Sequence, residues 1–331
     1  MIMAIQFAGG LSLFLLSLVC MSAALGRVIG PRTRSALSGA SVPMAFATGV
    51  VATALVQSST LVSVTLVGLV HAGAIGLGPG FAAVLGANVG TTVTAQIAGF
   101  RPAWLGWIAA ATGAALMALA FRERASPRAA SRAYGSVASF GFAGIVSGLS
   151  VMAGACAEAF DSEALKLILA VASRNRVLAA AVGAAATAAV QSSALITALL
   201  VTLTREGLIQ LPGAIALVVG SNVGTCLASV AASLPTGREA RALAWANMVF
   251  NTLGAAAVLP FVEPISEYLA ATSADPGVQL ANAHALFNII TAAAVLPFSR
   301  QFASLFVGRI GERSSIDNIS GHRARGHSRS H

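Results

Sequence analysis

Two nearly identical strings occur in the chain, VQSST at residues 56–60 and VQSSA at 190–194. Each is followed by a second shared string, GANVGTT at 86–92 in the first case and GSNVGTC at 220–226 in the second, at the same spacing. Two different strings that recur at one spacing are poorly explained by chance. They indicate that the chain is an internal duplication.

The chain around these strings is unusually apolar. Of its 331 residues, 56% are hydrophobic and only 9% are Asp, Glu, Lys or Arg, against about 25% charged residues in soluble domains. Uncharged runs recur from end to end, and the run at 35–100 must hold more than one membrane element, since a span takes about 20 residues. We therefore expect an all-α polytopic membrane protein.

The charged residues and the cysteines agree with this class. The formal net charge is +9, but the basic residues lie between the uncharged runs, which favours a lipid bilayer and not nucleic acid as the partner. Three cysteines without a CxxC pair predict neither a disulfide framework nor a metal site. Residues 1–25 lack a basic leader and are interpreted as a retained first span.

The helical segments beside each VQSS string are too short to cross a membrane. Pro43–Val56 and Ser58–Val70 have 14 and 13 residues, which reach only about 20 Å each as helices, against a hydrocarbon core of about 30 Å. A re-entrant broken-helix hairpin with Gln57 near its tip is one solution. The alternative is one long kinked helix that crosses fully in each repeat.

The charge pattern favours the hairpins. If both hairpins return to their own side, the acidic residues at 263–275 fall on one side, and the opposite side collects the arginines at 27–34, 122–132, 238–241 and 300–329. The positive-inside rule then makes the arginine side cytoplasmic, and the two halves become inverted-topology repeats. Lys166, Arg174 and Arg176 are exceptions, and they flank a short apolar stretch, 165–172, interpreted as an interfacial helix.

A smaller echo lies near the C-terminus. ANMVFN at 246–251 and VLPF at 258–261 recur as AHALFN at 283–288 and VLPF at 295–298, which indicates two similar helices. We divide the chain into a first transporter repeat at 1–121, a cytoplasmic loop at 122–134, a second transporter repeat at 135–262, an extra C-terminal transmembrane helix with its preceding loop at 263–304, and a basic cytoplasmic tail at 305–331 that we expect to be disordered.

Two hairpin tips that meet from opposite faces would bring helix N-termini together near the middle of the membrane. Free N–H groups and the positive ends of the helix dipoles bind an anion there without any arginine. A tetrahedral oxyanion suits such a ring of neutral donors. The candidate anion ligands are Gln57, Ser58, Ser59, Thr60, Gln191, Ser192 and Ser193.

The strings at 86–92 and 220–226 suit a cation. Their glycines are expected to break the next helix and free its carbonyls, and their amide and hydroxyl oxygens suit Na⁺. The candidate sodium ligands are Asn88, Thr91, Thr92, Asn222 and Thr225, with Asn251, His284 and Asn288 as supporting residues. Polar residues of these types also serve as contacts between membrane helices, but the duplication of two motifs favours a binding site.

At these residues the sequence resembles the type II sodium-phosphate cotransporter family, including its bacterial members. QSST at 57–60 and QSSA at 191–194 look like its paired QSSS motifs, and the strings at 86–92 and 220–226 look like the GxNxGT segments that follow them. AHALFN at 283–288 looks like its C-terminal AHxxFN helix. The similarity extends from Phe7 to Phe298.

The resemblance implies two inverted repeats, inorganic phosphate held between the QSS tips, Na⁺ as coupling ion and no cofactor. The third serine of the motif is Thr60 in one repeat and Ala194 in the other, and Cys226 replaces a threonine. We therefore expect sodium coupling to be unequal between the halves. Many bacterial relatives carry a domain resembling the phosphate regulator PhoU after the transporter, and we expect none in this chain.

The function expected from these features is sodium-coupled inorganic phosphate transport by alternating access across the cytoplasmic (inner) membrane. A passive oxyanion channel, or an exporter of phosphate or a related oxyanion, remains as the alternative, because similar polar tips could line a pore. An enzyme is not expected, since the chain has no HExxH, GxSxG or GxxxxGK motif. Composition does not predict the oligomeric state.

Overall fold

The described part of the chain folds entirely into helices and turns. The computed structural model describes residues 2–37, 39–100, 103–126, 128–159 and 175–307. The expected interfacial helix at 165–172, with Lys166 and Arg174, and nearly all of the expected tail lie outside these residues. The helices are α1 Ile2–Leu37, α2 Val42–Val56, α3 Ser59–His71, α4 Leu77–Gly90, α5 Thr92–Phe100, α6 Ala103–Arg122, α7 Ala129–Ala159, α8 Arg176–Val190, α9 Ser193–Arg205, α10 Leu211–Ser233, α11 Arg238–Val258, α12 Val262–Ala270, α13 Pro276–Val295 and α14 299–307.

Within the described residues, seven helical stretches are long and apolar enough to cross a membrane. They are Ile5–Arg27, Leu77–Phe100, Trp104–Arg122, Ala129–Met152, Leu211–Ser233, Arg238–Ala270 and Pro276–Val307. The prediction of an all-α polytopic membrane protein is therefore confirmed.

The four short helices form the two hairpins. Helices α2 and α8 have 15 residues each, and α3 and α9 have 13. At the start of the second hairpin, Arg176 forms an ion pair with Glu263 at 2.8 Å. At its end, Arg205 pairs with Asp275 at 2.7 Å. Glu263 lies in the first turn of α12 and Asp275 in the short connection after α12, so the second hairpin begins and ends near one short segment of the chain, as a re-entrant element does.

Glycines let each hairpin pack at backbone contact against the long helix that follows it. A Cβ atom added to Gly49 in α2 would lie 2.0 Å from the carbonyl oxygen of Ala83 in α4. The same addition to Gly183 in α8 would lie 2.0 Å from the carbonyl oxygen of Leu217 in α10. The spacing that relates the two VQSS strings also relates these glycines and their partners, so the duplicated sequence packs in the same way in both halves.

The two C-terminal elements share one shape. Each VLPF string ends a long helix in a short 3-10 turn, at Leu259–Phe261 after α11 and at Leu296–Phe298 after α13. Proline has no backbone N–H and disrupts the regular helix there. A short helix, α12 or α14, follows each turn. The C-terminal sequence repeat therefore forms the same structure twice.

Arg205 joins three elements at one end of the molecule. Its guanidinium donates to both carboxylate oxygens of Asp275 and to the carbonyl oxygens of Ala98 and Gly99 at the end of α5. Asp275 also caps α13 by accepting from the N–H of Gly277 at 2.7 Å. Burial alone raises the pKa of Asp275, but the hydrogen bond and charge of Arg205, with the cap, outweigh burial and hold this pKa below its ordinary value.

Replacing Gly183 by alanine tests the helix packing. Because the new methyl group would overlap the backbone of α10, Gly183→Ala should lower stability by about 1–3 kcal/mol and reduce the yield of folded protein. Gly68→Ala is the matched control, since nothing lies within 4 Å of a Cβ at Gly68 in α3 and alanine favours helix. Size-exclusion chromatography in detergent measures the yield of folded protein, and thermal unfolding measures its stability. Equal yield and stability of the two variants would contradict the packing argument.

Removing the charge of Asp275 should destabilise the protein in a pH-dependent way. The pKa of this carboxyl is lowered by folding, so its stabilisation is fully present above the ordinary value of 3.8 and is lost as the pH falls through the lowered pKa. At pH 7, Asp275→Asn should lower the apparent melting temperature by about 2–4 °C. The gap to wild type should close in strong acid. Glu267→Gln is the control, because it removes a charge that forms no ion pair within the described residues and should leave the melting temperature at pH 7 near that of wild type.

Candidate functional site

A left-handed glutamine forms the tip of each hairpin. Among the described residues, Gln57 and Gln191 are the only non-glycine residues with positive φ, at 57° and 58°. Their N–H groups donate to the carbonyl oxygens of Thr53 and Thr187, both at 2.7 Å, and close α2 and α8. Non-glycine residues rarely adopt this conformation, and strained backbone of this kind is concentrated at functional sites.

The serine after each glutamine caps the next helix. Ser58 and Ser192 have extended backbones, and their hydroxyl oxygens accept from the N–H groups of Leu61 at 3.3 Å and Leu195 at 3.2 Å. The hydroxyl hydrogen of each serine stays available to donate. The N–H groups of the first two residues in α3 and α9 have no intrahelical acceptor, so each tip presents a cluster of neutral donors.

Both tips border one cavity of about 440 Å³. All seven predicted anion ligands line it, together with Ala194, Thr91 and a wall from α1 that includes Leu15, Leu18 and Ser22. The Ser22 hydroxyl donates to the carbonyl oxygen of Val56 at 2.6 Å and fastens α1 to the first tip. The structure therefore brings together residues from the two distant halves of the sequence.

None of the described residues that line this cavity has an ionisable side chain. The polar atoms of the lining are hydroxyls, side-chain amides and the backbone at two helix N-termini. Helix N-termini carry a partial positive charge, and they are suited to bind an anion when their N–H groups are free. The arrangement can hold an oxyanion without arginine or lysine.

Fewer of the predicted sodium ligands than of the predicted anion ligands line this cavity. Among the described residues of that set, only Thr91 lines the cavity. The hydroxyls of Thr91, Thr92 and Thr225 donate to carbonyl oxygens of their own or the preceding helix, at 2.9, 2.7 and 3.0 Å. Their oxygens keep lone pairs that a cation could use.

The two asparagines of these strings contact other helices. Asn88 donates to the amide oxygen of Asn247 at 3.3 Å. Asn222 donates to Asn288 at 3.4 Å and lies 3.3 Å from the Nε2 atom of His284. Each asparagine thus meets one copy of the C-terminal echo, which makes these pairs equivalent contacts in the two halves.

The expected breaks at the GxNxGT strings are wrong for the second repeat. Helix α10 runs without interruption from Leu211 to Ser233. In the first repeat, Thr91 separates α4 from α5 but keeps helical angles of −62° and −26°. The glycines serve close packing instead, because a Cβ at Gly224 would lie 2.2 Å from the carbonyl oxygen of Ala184.

Sequence reasoning missed two polar residues next to the site. Asn247 accepts from Asn88 and from Asn251, the latter at 2.9 Å, and it occupies the position of His284 in the C-terminal echo, so the echo could have revealed it. Thr94 donates its hydroxyl to the side-chain oxygen of Gln57. No motif marks Thr94, since its counterpart in the second repeat is Ala228.

Comparison with known proteins identifies the family. The sequence profile described as Na⁺/Pi-cotransporter matches residues 13–154 and again residues 145–270. The double match follows the duplication of the chain. No solved structure is significantly similar to this protein.

Curated relatives fall into the same group. The chain is 30% identical over 245 residues to YjbB of Salmonella typhimurium, named as a proposed inorganic phosphate export protein, and the match covers 73% of this chain and 44% of the relative. YjbB of Escherichia coli K12 gives 30% over 249 residues, with 75% and 45% covered. The uncharacterised protein YqeW of Bacillus subtilis is 31% identical over 238 residues, with 72% and 75% covered. The match thus spans less than half the length of the YjbB proteins.

The double match of the profile agrees with the duplication of the QSS hairpins. The matched family consists of transporters and not of enzymes. On these grounds the chain is a multi-pass membrane protein that belongs to the Na⁺/Pi-cotransporter family.

Proposed function

We propose that this protein transports inorganic phosphate across the cytoplasmic membrane, coupled to Na⁺, by alternating access. The observation that carries the proposal is the uncharged cavity that two serine-capped helix N-termini border. The family and the names of the YjbB relatives support phosphate as the substrate.

The chemistry of phosphate fits the cavity. Its oxygens accept several hydrogen bonds at once, and the two tips offer donors from opposite sides. These donors are the hydroxyls of Ser58 and Ser192 and the free N–H groups at the starts of α3 and α9. Hydrogen bonds to a charged partner are stronger than neutral ones, and the low dielectric of the membrane interior strengthens them further.

The lack of charge in the lining supports coupling to a cation. A phosphate anion that enters the cavity meets no basic side chain among the described lining residues, so a cation that enters with it would offset its charge. The hydroxyl of Thr91 and the carbonyl ends of α2 and α8 offer the neutral oxygens that Na⁺ prefers. The family description gives the same ion.

Contacts at the two ends of α11 support the inverted arrangement of the repeats. Helix α11 has 21 residues and extends over about 31 Å. The end of the first hairpin, His71, accepts from the N–H of Gly237 at 3.1 Å, where α11 begins. The start of the second hairpin, Arg176, pairs with Glu263, beyond the other end of α11. Hairpins that reach the cavity from opposite faces can open it to each side in turn.

Export is the favoured alternative for the direction of transport. The YjbB relatives are named for phosphate export. A coupled carrier runs in the direction that its gradients set, so export and uptake use the same site. The cavity serves both directions without change.

Transport in reconstituted vesicles tests the proposal. Wild-type protein in proteoliposomes should accumulate labelled phosphate when an inward Na⁺ gradient is applied, and uptake should saturate with phosphate. Replacing the Na⁺ gradient by K⁺ should abolish accumulation. Phosphate-dependent current without a sodium requirement would show a channel instead, and the absence of any phosphate flux would refute the proposal.

Removing one serine cap should weaken phosphate binding. Loss of a hydrogen bond to a charged group costs about 1.5–3 kcal/mol, so Ser192→Ala should raise the dissociation constant of phosphate about tenfold or more. Asn175→Ala is the matched control, because Asn175 caps α8 by accepting from Leu178 at 3.0 Å and does not line the cavity. Each of the two cap substitutions should lower the stability by about 1 kcal/mol, but Asn175→Ala should leave the affinity for phosphate unchanged.

A second substitution separates the cap from the anion contact. Aspartate is a good N-cap residue, but its charge repels phosphate. Ser192→Asp should therefore keep the melting temperature near that of wild type and abolish phosphate binding. Normal binding in both Ser192 variants would remove this serine from the site.

A further inference from the structure

The two glutamines at the tips are held differently. Gln57 is 6% exposed, and both ends of its side-chain amide have partners. Its oxygen accepts from the hydroxyl of Thr94 in α5, and its nitrogen donates to the carbonyl oxygen of Ala54. Thr94 is itself buried. The side chain of Gln57 is therefore fixed in one orientation.

Gln191 lacks this second anchor. Its side-chain nitrogen donates to the carbonyl oxygen of Ala188, as Gln57 does to Ala54. The residue that corresponds to Thr94 in the second half is Ala228, whose methyl group cannot donate. Within the described residues no side chain donates to the amide oxygen of Gln191, and this glutamine is exposed.

Gln57 also separates two cavities. It lines the cavity between the tips, and it lines a second cavity of about 490 Å³ between α1, α2, α5, α6 and α7. The second cavity is almost wholly apolar, with Met21, Leu55, Val93 and Phe142 among its lining residues. A glutamine held at both ends makes a stable wall between a polar and an apolar space.

We propose that the tips have unequal roles. Thr94 is a positioning residue that fixes Gln57 as a wall of the site, and Gln191 is the tip glutamine whose adaptable amide contacts the transported anion. This inference rests on the proposed function for its ligand, phosphate, but the anchor formed by Thr94 can be measured without any ligand.

The physical reason is the freedom of the two amides. An amide nitrogen has two N–H groups, and Gln191 uses one of them for Ala188. Because no donor among the described side chains holds its oxygen, the Gln191 amide can turn so that its second N–H meets an oxyanion. The Gln57 amide could turn in this way only by leaving the Thr94 hydroxyl without its acceptor in a buried environment, which is costly.

The first measurement compares the glutamines by phosphate binding to the full-length protein in detergent with Na⁺. Gln191→Met removes the amide and keeps the size of the side chain, and it should raise the dissociation constant about tenfold or more. Gln57→Met should raise it less, and its main effect should be a lower melting temperature. Equal losses of affinity in the two variants would overturn the assignment of unequal roles.

The second measurement exchanges the anchor between the halves. Ala228→Thr supplies a hydroxyl that can hold the oxygen of Gln191, and it should weaken phosphate binding several-fold. Ala228→Val adds the same bulk without a donor and should weaken binding less. If the two variants at position 228 behave alike, bulk and not the hydrogen bond sets the effect, and the proposed freedom of Gln191 is wrong.

The third measurement needs no phosphate. Thr94→Val should lower the melting temperature of the ligand-free protein, whereas Thr94→Ser, which keeps the hydroxyl, should not. The double variant Thr94→Val with Gln57→Met should lose less stability than the sum of the two single losses, because both substitutions remove the same hydrogen bond. Additive losses would refute the anchor. Failure of wild-type protein to bind phosphate would refute the proposed function and leave this result standing.

Discussion

Hydrocarbon offers the polypeptide backbone no hydrogen-bond partner, and a helix that ends inside a membrane must satisfy or enclose its free groups. Each hairpin of this protein meets that constraint at its tip. The N–H of Gln57 closes α2 through Thr53, and the hydroxyl of Ser58 caps α3. The residues that carry the remaining N–H groups line a cavity shared with the second tip. In the proposed function, the same groups that would destabilise a lipid-exposed helix end bind the transported anion.

Enclosure of the tips explains the packing of the longer helices. A re-entrant hairpin is tolerated only when protein surrounds it, and the glycines at 49 and 183 let α4 and α10 approach the hairpins at backbone contact. Helix α6, in contrast, is mostly exposed along its length, as a helix at the lipid boundary is. These glycines therefore support the site indirectly, because they let α4 and α10 enclose the hairpins and separate the tips from lipid.

Duplication gave the two halves one backbone, but their polar contacts have diverged. Thr187 donates to Ser221 at 2.7 Å. In the first half, Ala87 stands at the position equivalent to Ser221, and the hydroxyl of Thr53 has no hydrogen-bond partner in the described structure. The hairpins end in His71 and Arg205, and of these two only Arg205 forms an ion pair among the described residues. A cavity between two halves that differ in this way can bind one ligand asymmetrically, with one fixed and one adaptable side.

The amino-acid sequence alone predicts the helical membrane class, the duplication, and the breaks near Gln57 and Gln191. These features are local or additive, since they depend on hydrophobic length, on the serine caps and on strings that repeat along the chain. It also selected the seven residues at the tips, which the structure brings to one cavity. The three-dimensional fold was needed to show that the glycines of the GxNxGT strings pack against the first helix of the preceding hairpin, and that α10 continues through its string without a break. It also shows that Asn88 and Asn222 form hydrogen bonds with α11 and α13, and that Thr94 donates to Gln57 whereas its counterpart Ala228 has no donor to offer Gln191. Such contacts depend on which helices become neighbours, and neighbours distant in the chain leave no local pattern in the sequence.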